Sequence, residues 1–272
     1  MTFIDIGVNL MHRGFSSDRE LVAHRAAEAG VAPLIITGTS ESSSRAAACY
    51  AAQSPGMLYA TAGVHPHEAK NCGPQTLDAL AGLARQDCVL AIGECGLDYN
   101  RDFSPREIQT LWFEKQLELA ASLSLPVFLH ERDAAGDFTA ILKNHIRGLK
   151  AVVVHCFTGG RKELDAYLGL GCSIGVTGWV CDERRGRHLG ELLEIIPAGR
   201  LMLETDAPFL LPRDLPEKAC GARSGRNEPC FLPHIARAVA RHRGEDPETI
   251  AAQTTANARE FFGISFPAAT IA

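Results

Sequence analysis

Histidines and acidic residues recur in this 272-residue chain directly after short apolar runs. His65 and His67 follow one such run in Gly-Val-His-Pro-His, and Glu94 follows another in Ala-Ile-Gly-Glu. Later runs are followed in the same way by His130, His155, Glu204 and Asp206. Imidazole and carboxylate groups together form mixed nitrogen and oxygen sites for divalent metal ions. Such a site polarises an ester or phosphoryl oxygen and acidifies a bound water, while a nearby carboxylate can accept the proton.

A structural role is the alternative for several of these side chains. His67 could be a hydrogen-bonded residue at a strand end, and Glu204 could support a ligand instead of binding an ion directly. His130 and His155 each end an apolar run, which favours a functional role. Glu94 lies in apolar sequence where an unpaired carboxylate would be costly, so a metal or a fixed cation is expected beside it.

Arginines that follow the same apolar runs are candidates for binding substrate phosphates. They are Arg132, Arg184, Arg185 and Arg226. A guanidinium group near a metal can hold a phosphate through two hydrogen bonds. Acidic residues flank the last three of these arginines, so a solvated loop is the alternative interpretation.

Eight short runs, nearly all apolar, predict β-strands that are covered on both faces. They lie at residues 3–6, 34–37, 58–62, 89–92, 127–129, 152–154, 173–176 and 201–203. Helical patterns separate them at 18–29, 42–53, 74–86, 105–123, 134–143, 161–170 and 186–196, and two more follow at 232–243 and 247–262. This alternation predicts an α/β fold, a (β/α)8 TIM barrel, with an open doubly wound sheet as the alternative. No Gly-x-Gly-x-x-Gly motif follows the first run, which weakens a dinucleotide-binding interpretation.

The predicted barrel places the candidate residues together, because all strand C-termini of a parallel barrel open on one face and active sites lie there. No linker or low-complexity segment divides the chain, so we expect one domain over residues 1–272. The stretch 212–229 is expected to be a long loop after the last strand.

Charge and cysteine content narrow the function classes. The chain has 27 Lys and Arg against 32 Asp and Glu, a formal net charge of −5, whereas a protein that coats duplex DNA by charge alone would be basic. Nine scattered cysteines without a Cys-x-x-Cys pair suit a reducing compartment, which predicts a cytoplasmic location. We expect no targeting segment, no membrane span and no obligate protein partner, hence a monomer.

An ordered set of motifs along nearly the whole chain resembles the TatD-type metal-dependent deoxyribonucleases. The matching stretches are residues 3–10, 35–39, 62–67, 91–98, 126–130, 155–159, 177–186, 204–208 and 226–229. They include Gly-Glu-Cys-Gly-Leu-Asp, His-Cys-Phe-Thr-Gly and Glu-Thr-Asp-Ala-Pro. The resemblance implies a metal-dependent hydrolase barrel that digests single-stranded DNA from its 3′ end, with RNA as a further substrate, in DNA repair or nucleic-acid degradation.

The resemblance also implies roles for individual residues. Glu94, His130 and His155 match metal ligands of the family, and Mg²⁺ is the expected ion, with Mn²⁺ as a substitute. Asp206 matches the carboxylate that binds metal or activates water, and His65 matches a pocket histidine near the scissile phosphate.

The resulting hypothesis gives the remaining candidates a place around the phosphate. Asp206 or Glu204 accepts the proton of the attacking water. The developing charge on the phosphate is stabilised by His65 and nearby arginines. His67 and the four candidate arginines are expected to contact the substrate.

One departure from the family pattern lies after the first strand. Most relatives carry Asp-x-His-x-His there, whereas this chain has Gly7 and Asn9 at the histidine positions, as one subgroup of the family does. Glycine offers no side-chain ligand, and an amide oxygen is a poorer donor to transition metals than imidazole. The remaining ligands are shifted towards oxygen, which favours Mg²⁺ over Zn²⁺ and leaves one or two metals open.

Two other function classes compete with a nuclease. The first is a small-molecule amidohydrolase or lactonase on the same barrel. The missing histidines argue against it, as does the lack of a lysine near the end of the fourth strand to bridge two metals. The second is a non-catalytic binding protein, which would leave the converging acids and histidines unexplained.

Overall fold

The computed structural model describes residues 1–184, 186–216 and 225–265. Its strands are Phe3–Val8 (β1), Val31–Ile36 (β2), Leu58–Ala62 (β3), Val89–Asp98 (β4), Val127–Arg132 (β5), Val152–Val154 (β6), Ser173–Val176 (β7) and Leu201–Leu203 (β8). Its α-helices are Arg19–Glu28 (α1), Glu41–Ala51 (α2), Thr76–Ala84 (α3), Arg106–Leu123 (α4), Ala135–His145 (α5), Arg161–Gly169 (α6), Arg187–Leu193 (α7), Leu232–Arg243 (α8) and Pro247–Phe262 (α9). Strands and helices alternate as predicted, and α8 and α9 follow the last strand.

The eight strands form one parallel sheet in chain order from β1 to β8. Backbone hydrogen bonds join its two edges, because the N–H of Asp206 donates to the carbonyl of Gly7 at 2.9 Å and the N–H of Asn9 donates to the carbonyl of Ala207 at 2.8 Å. Such closure leaves no open sheet edge. The predicted (β/α)8 barrel is confirmed, and the open doubly wound sheet is wrong.

Apolar side chains fill the barrel and cover its outside. Ile6, Phe128 and Met202 pack with Phe261 of α9 in one buried cluster, and a larger cluster joins the strands to the surrounding helices. The amide of Asn257 in α9 donates to the carbonyl of Leu201 at 2.8 Å, at the start of β8. Helix α9 therefore lies at the N-terminal end of the barrel, and the opposite end remains available for a site.

β4 and β5 are longer than their apolar runs predict, and this corrects the expected placement of the candidate residues. Glu94 and His130 lie within these strands, not after them, because pairing continues from Gly96 opposite His130 to Asp98 opposite Arg132. A Cβ at Gly96 would lie 1.9 Å from the carbonyl oxygen of His130, and its φ is +144°. Only glycine fits this close approach without strain.

Two further observations concern the cysteines and the helices. The thiols of Cys49, Cys72, Cys88, Cys95, Cys156, Cys172 and Cys181 are free. Within the part of the chain that the structure describes, no helix combines the length and apolar character needed to cross a membrane.

Candidate active site

A cleft of about 450 Å³ opens at the C-terminal ends of the strands. The predicted site residues that line it are His65, His67, Glu94, His130, Arg132, His155 and Asp206. Its volume falls in the range of small-molecule sites, so a nucleotide-sized group fits. Residues from strands far apart in sequence therefore converge here, as the barrel predicts.

Glu94 lies buried at the point where three imidazoles meet. Its Oε1 is 2.7 Å from Nε2 of His155, 3.0 Å from Nδ1 of His130 and 3.3 Å from Nε2 of His65. His65, Glu94 and His130 each offer a ligand atom, and these atoms lie within 4.8 Å of one another. Three ring nitrogens around one carboxylate oxygen form a donor set into which a divalent cation fits.

Burial and the charges of neighbouring side chains shift the pKa values of Glu94, His65 and His155. Burial raises the pKa of Glu94, but the charges of His155 and His65 outweigh burial and hold that pKa well below its ordinary value. Burial lowers the pKa of His65 to about 4, against the opposing pull of Glu94. Burial also disfavours the charged form of His155, yet Glu94 and Glu204 raise its pKa well above the ordinary value. A cation at this point therefore competes with protons on His155.

Hydrogen bonds to the outer ring nitrogens separate His155 from His65. Nδ1 of His155 faces Oε2 of Glu204 at 3.3 Å and Nε2 faces Oε1 of Glu94 at 2.7 Å, so the protonated ring can donate to both carboxylates. Replacement of the Nε2 proton by a cation would leave the Nδ1 proton on Glu204 and put the lone pair of Nε2 on the ion. Nδ1 of His65 accepts the backbone N–H of His67 at 3.1 Å, so Nε2 of neutral His65 carries the proton. His155 is thus set up as a metal ligand and His65 as a hydrogen-bond donor.

Asp206 lies in the same cleft beside Asn9. Nδ2 of Asn9 donates to Oδ1 of Asp206 at 2.9 Å. Burial raises the pKa of Asp206 to about 7, opposed by the charge of His155. A carboxyl group with such a pKa can gain and lose a proton near neutral pH. Asn9 therefore orients the candidate base.

Glu204 corrects one expectation. It is fully buried and does not line the cleft. Its Oε1 accepts the backbone N–H of Cys156, and its Oε2 faces His155. A carboxylate without solvent exposure does not reach an attacking water, so Glu204 is misplaced as a base. It supports His155 from behind, which was the alternative interpretation.

Comparisons with known proteins show which family has this sequence and this barrel. The TatD related DNase family matches residues 4–263. The chain belongs to this family. The "3'-5' ssDNA/RNA exonuclease TatD" of Erwinia amylovora is 54% identical over 260 residues, which cover 96% of this chain and 99% of the relative. The crystal structure of YJJV, a TatD homolog from Escherichia coli, has a TM-score of 0.86 at 29% identity and covers 97% of this chain and 98% of its own.

A structural reason for the family departure at Gly7 lies in the space that Glu204 occupies. A Cβ at Gly7 would lie 2.4 Å from Oε2 of Glu204 and 2.9 Å from Cζ of Phe128. On the other side, a Cβ at Gly175 would lie 2.6 Å from Oε1 of Glu204. A histidine at position 7 of this TatD-family chain would therefore require the buried carboxylate to move.

A second acid, Asp98, links two of the cleft histidines. Its Oδ2 is 2.7 Å from Nε2 of His67 and 3.3 Å from Nε2 of His130. Its Oδ1 accepts the backbone N–H groups of Asn100 and Arg101. The motif Gly-Glu-Cys-Gly-Leu-Asp contains Asp98, but only the pairing of β4 with β5 places it beside His130.

Arg226 is not in the cleft, contrary to expectation. Its guanidinium contacts Oδ1 and Oδ2 of Asp18 at 2.9 and 2.8 Å and Oε1 of Glu228 at 2.6 Å. Arg25 binds the same two acids, and Phe15 lies under the Arg226 guanidinium at 4.8 Å. Acids from distant parts of the chain hold Arg226, so it is part of a structural ion-pair cluster.

The other candidate arginines differ in position. Arg132 lines the cleft and also a neighbouring depression with Trp179 and His188. Arg184 is exposed and does not line the cleft; its backbone N–H donates to Oδ1 of Asp182. Arg185 lies outside the described residues. Arg132 alone among the described candidates therefore meets the site.

The mouth of the cleft carries apolar and aromatic side chains that sequence analysis missed. Met11, His12, Phe209 and Leu210 line it together with Trp179. Phe209 is 47% exposed, and its ring lies 5.2 Å from that of His12 in an edge arrangement. Met11 and His12 come after β1, and Phe209 and Leu210 come after β8, so the same positional rule that found the acids could have found these four residues.

The charges of the cleft are unbalanced. Among the described residues that line it, the carboxylates are those of Glu68, Glu94, Glu131 and Asp206, and the one guanidinium is that of Arg132. When His130 and His155 are neutral, as metal binding requires, this excess of acids would repel a phosphate chain. A polyanion therefore needs a cation bound there, which agrees with the ligand geometry around Glu94.

Proposed function

We propose that this TatD-family chain is a metal-dependent exonuclease that removes nucleotides from the 3′ ends of single-stranded DNA and RNA. The observation that carries the proposal is the convergence of three imidazoles on Oε1 of Glu94, inside a cleft with excess carboxylates. The nuclease activity and its polarity follow the names of relatives that are 54% identical over nearly their whole length.

The ligand set that we propose consists of Glu94, His130, His155 and Asp206. Nε2 of His155 would bind the ion once its proton is displaced, with Nδ1 still held by Glu204, and both carboxylates lie in the cleft. Carboxylate oxygens suit Mg²⁺, and Mn²⁺ accepts the same mixed donors. A divalent ion bound there would supply Lewis-acid polarisation of a phosphoryl oxygen and a more acidic water.

The side chains of the cleft would then divide the remaining work. Asp206, which lines the cleft beside Glu94, would accept the proton of the attacking water. His65 donates a hydrogen bond from Nε2 to a phosphate oxygen, since its Nδ1 is already engaged. Arg132 supplies a fixed positive charge, and His67 is held at the cleft wall by Asp98.

Phe209 and Trp179 would bind the unstacked bases of the substrate. Both line the cleft mouth, and aromatic faces stack on bases without regard to sequence. Bases of a duplex are already stacked on each other, so this surface favours single strands.

Digestion of a 5′-labelled single-stranded oligonucleotide tests the proposal. We expect a ladder of products shortened one nucleotide at a time from the 3′ end, which requires Mg²⁺ or Mn²⁺ and stops with EDTA. A matched duplex should be digested more slowly. The proposal would be overturned by products that are cut first near the 5′ label or by internal fragments alone. An oligonucleotide that stays intact with both Mg²⁺ and Mn²⁺ would also overturn it.

The small-molecule alternative requires a separate assay. Amides and lactones offered at the same enzyme concentration should remain unhydrolysed. Hydrolysis of either with an intact oligonucleotide would replace the nuclease proposal. The cytoplasmic location and the monomeric state stay predictions.

A further inference from the structure

Three metal-binding side chains come together outside the cleft, among the segments that follow β7 and β8. They are Cys181, Asp214 and His234, and none of them lines the cleft. Each offers one ligand atom, and the three atoms lie within 4.8 Å of one another. Thiolate sulfur, imidazole nitrogen and carboxylate oxygen are the donors typical of Zn²⁺ sites.

Each of the three residues belongs to a different segment. Cys181 ends a short 3₁₀ turn after β7, Asp214 lies in the loop after β8, and His234 lies in the first turn of α8. An ion held by all three would tie the loop after β8 to both neighbours. The same loop carries Phe209 in the wall of the cleft.

Existing contacts already position the carboxylate. Oδ1 of Asp214 is 2.6 Å from Nε2 of His234, and its Oδ2 is 3.4 Å from the guanidinium of Arg241. Nε of the neighbouring Arg213 is 2.8 Å from Oδ2 of Asp182. This ion pair joins the loop after β8 to the segment after β7. A ligating carboxylate is commonly held from behind by such a partner.

The exposure of the three residues suits a bound ion with access to solvent. Cys181 is 5% exposed, whereas the side chains of His234 and Asp214 are 13% and 38% exposed. Two donors are thus shielded and the third borders water. This leaves a path for an ion to enter and a position for a water as fourth ligand.

We propose that Cys181, Asp214 and His234 bind a Zn²⁺ ion that fixes the loop after β8, independently of the centre around Glu94. Cys181 binds as the thiolate, and its proton passes to solvent. Nε2 of His234 binds as an unprotonated nitrogen, so its hydrogen bond with Asp214 is replaced by one bond from each residue to the ion. Because protons compete with the metal, the affinity rises with pH.

Titration of the chelator-treated full-length protein with Co²⁺ tests this proposal, since Co²⁺ replaces Zn²⁺ in such sites and absorbs strongly when bound to thiolate. We expect one equivalent to produce the cobalt–thiolate absorption and Zn²⁺ to displace it. Cys181→Ser should abolish the absorption. Asp214→Asn and His234→Ala should each weaken Co²⁺ binding by about 100-fold.

Two control variants separate this site from the cleft. Cys156→Ser removes a thiol that lines the cleft, and Glu94→Gln disables the proposed catalytic centre; both variants should keep the absorption. An absent signal at saturating Co²⁺, or one that survives Cys181→Ser, would overturn the proposal. If Cys181→Ser does not fold, unchanged affinity in Asp214→Asn, a change at a partly exposed loop residue, would overturn it equally.

Discussion

Two groups of ionisable side chains differ in how their charges are paired. The Glu94 cluster, formed by Glu94, His65, His130 and His155, directs three ring nitrogens at one carboxylate oxygen. The Arg226 cluster, formed by Arg226, Arg25, Asp18 and Glu228, pairs two guanidinium groups with two carboxylates at 2.6–3.2 Å. The second group is neutralised by permanent charges, whereas the first is satisfied either by a proton on His155 or by a divalent cation. The two clusters thus differ in whether their positive charge is fixed or exchangeable, not only in residue type.

The largest expected effect is the loss of activity in Glu94→Gln. The amide keeps the shape of the side chain but removes the anionic ligand, so kcat should fall by about 10³-fold or more. Oligonucleotide shortening at saturating Mg²⁺ measures this, with circular dichroism to show that the fold is kept. A folded variant with wild-type kcat would show that catalysis does not need the Glu94 carboxylate.

A smaller effect should distinguish two histidines of the same cluster. His155→Gln removes a metal ligand and should weaken Mn²⁺ binding by about 100-fold. His65→Gln removes a donor to the phosphate and should lower kcat by about 100-fold with Mn²⁺ affinity unchanged. Mn²⁺ titration followed by electron paramagnetic resonance separates the two. Equal losses of affinity in both variants would contradict the assignment of ring protons.

The Arg226 cluster should respond in stability instead of catalysis. Arg226→Ala leaves the buried Glu228 with one guanidinium partner, Arg25, so the free energy of unfolding should fall by about 2–4 kcal/mol. Urea unfolding measures the loss, and kcat per folded molecule should be unchanged. Arg184→Ala is the matched control, because Arg184 is exposed and its change should alter neither. A large fall in kcat for folded Arg226→Ala would indicate that this arginine contacts the substrate.

The smallest expected effect is a pH dependence of the same cluster. Hydrogen bonding from Arg226, opposed by burial and aided by Arg25, lowers the pKa of Asp18 from 3.8 to about 2. The ionised form is thus favoured in the folded state, so the stabilisation is complete above about pH 4 and is lost as the pH falls towards 2. Its size is about 1–2 kcal/mol after solvent screening. Asp18→Asn should flatten this part of the stability profile, and parallel profiles for both proteins would contradict the shift.

The short strands show what the sequence determines locally. β6, β7 and β8 coincide with their apolar runs because both faces are buried and polar residues end them. β4 continues to Asp98, six residues beyond its run, because the glycines and acids that interrupt its apolar sequence do not interrupt its pairing with β5. A prediction that uses apolar residues alone therefore ends such a strand before the polar residues that it contributes to the site.

The candidate site was predictable in its composition but not in its internal contacts. The positions of Glu94, His130, His155 and Asp206 after apolar runs, together with the barrel, sufficed to bring them together. The burial of Glu204 depends on Gly7 and Gly175, which lie far from it in sequence. Arg226 is paired with Asp18, 208 residues away, and no local pattern contains that contact.

The most direct test of the Glu94 cluster as a metal centre is anomalous diffraction from a crystal soaked in Mn²⁺. We predict a peak bonded to carboxylate oxygens of Glu94 and Asp206, to Nε2 of His155 and to a ring nitrogen of His130. No peak between these residues, with the imidazoles still hydrogen-bonded to Glu94, would contradict it.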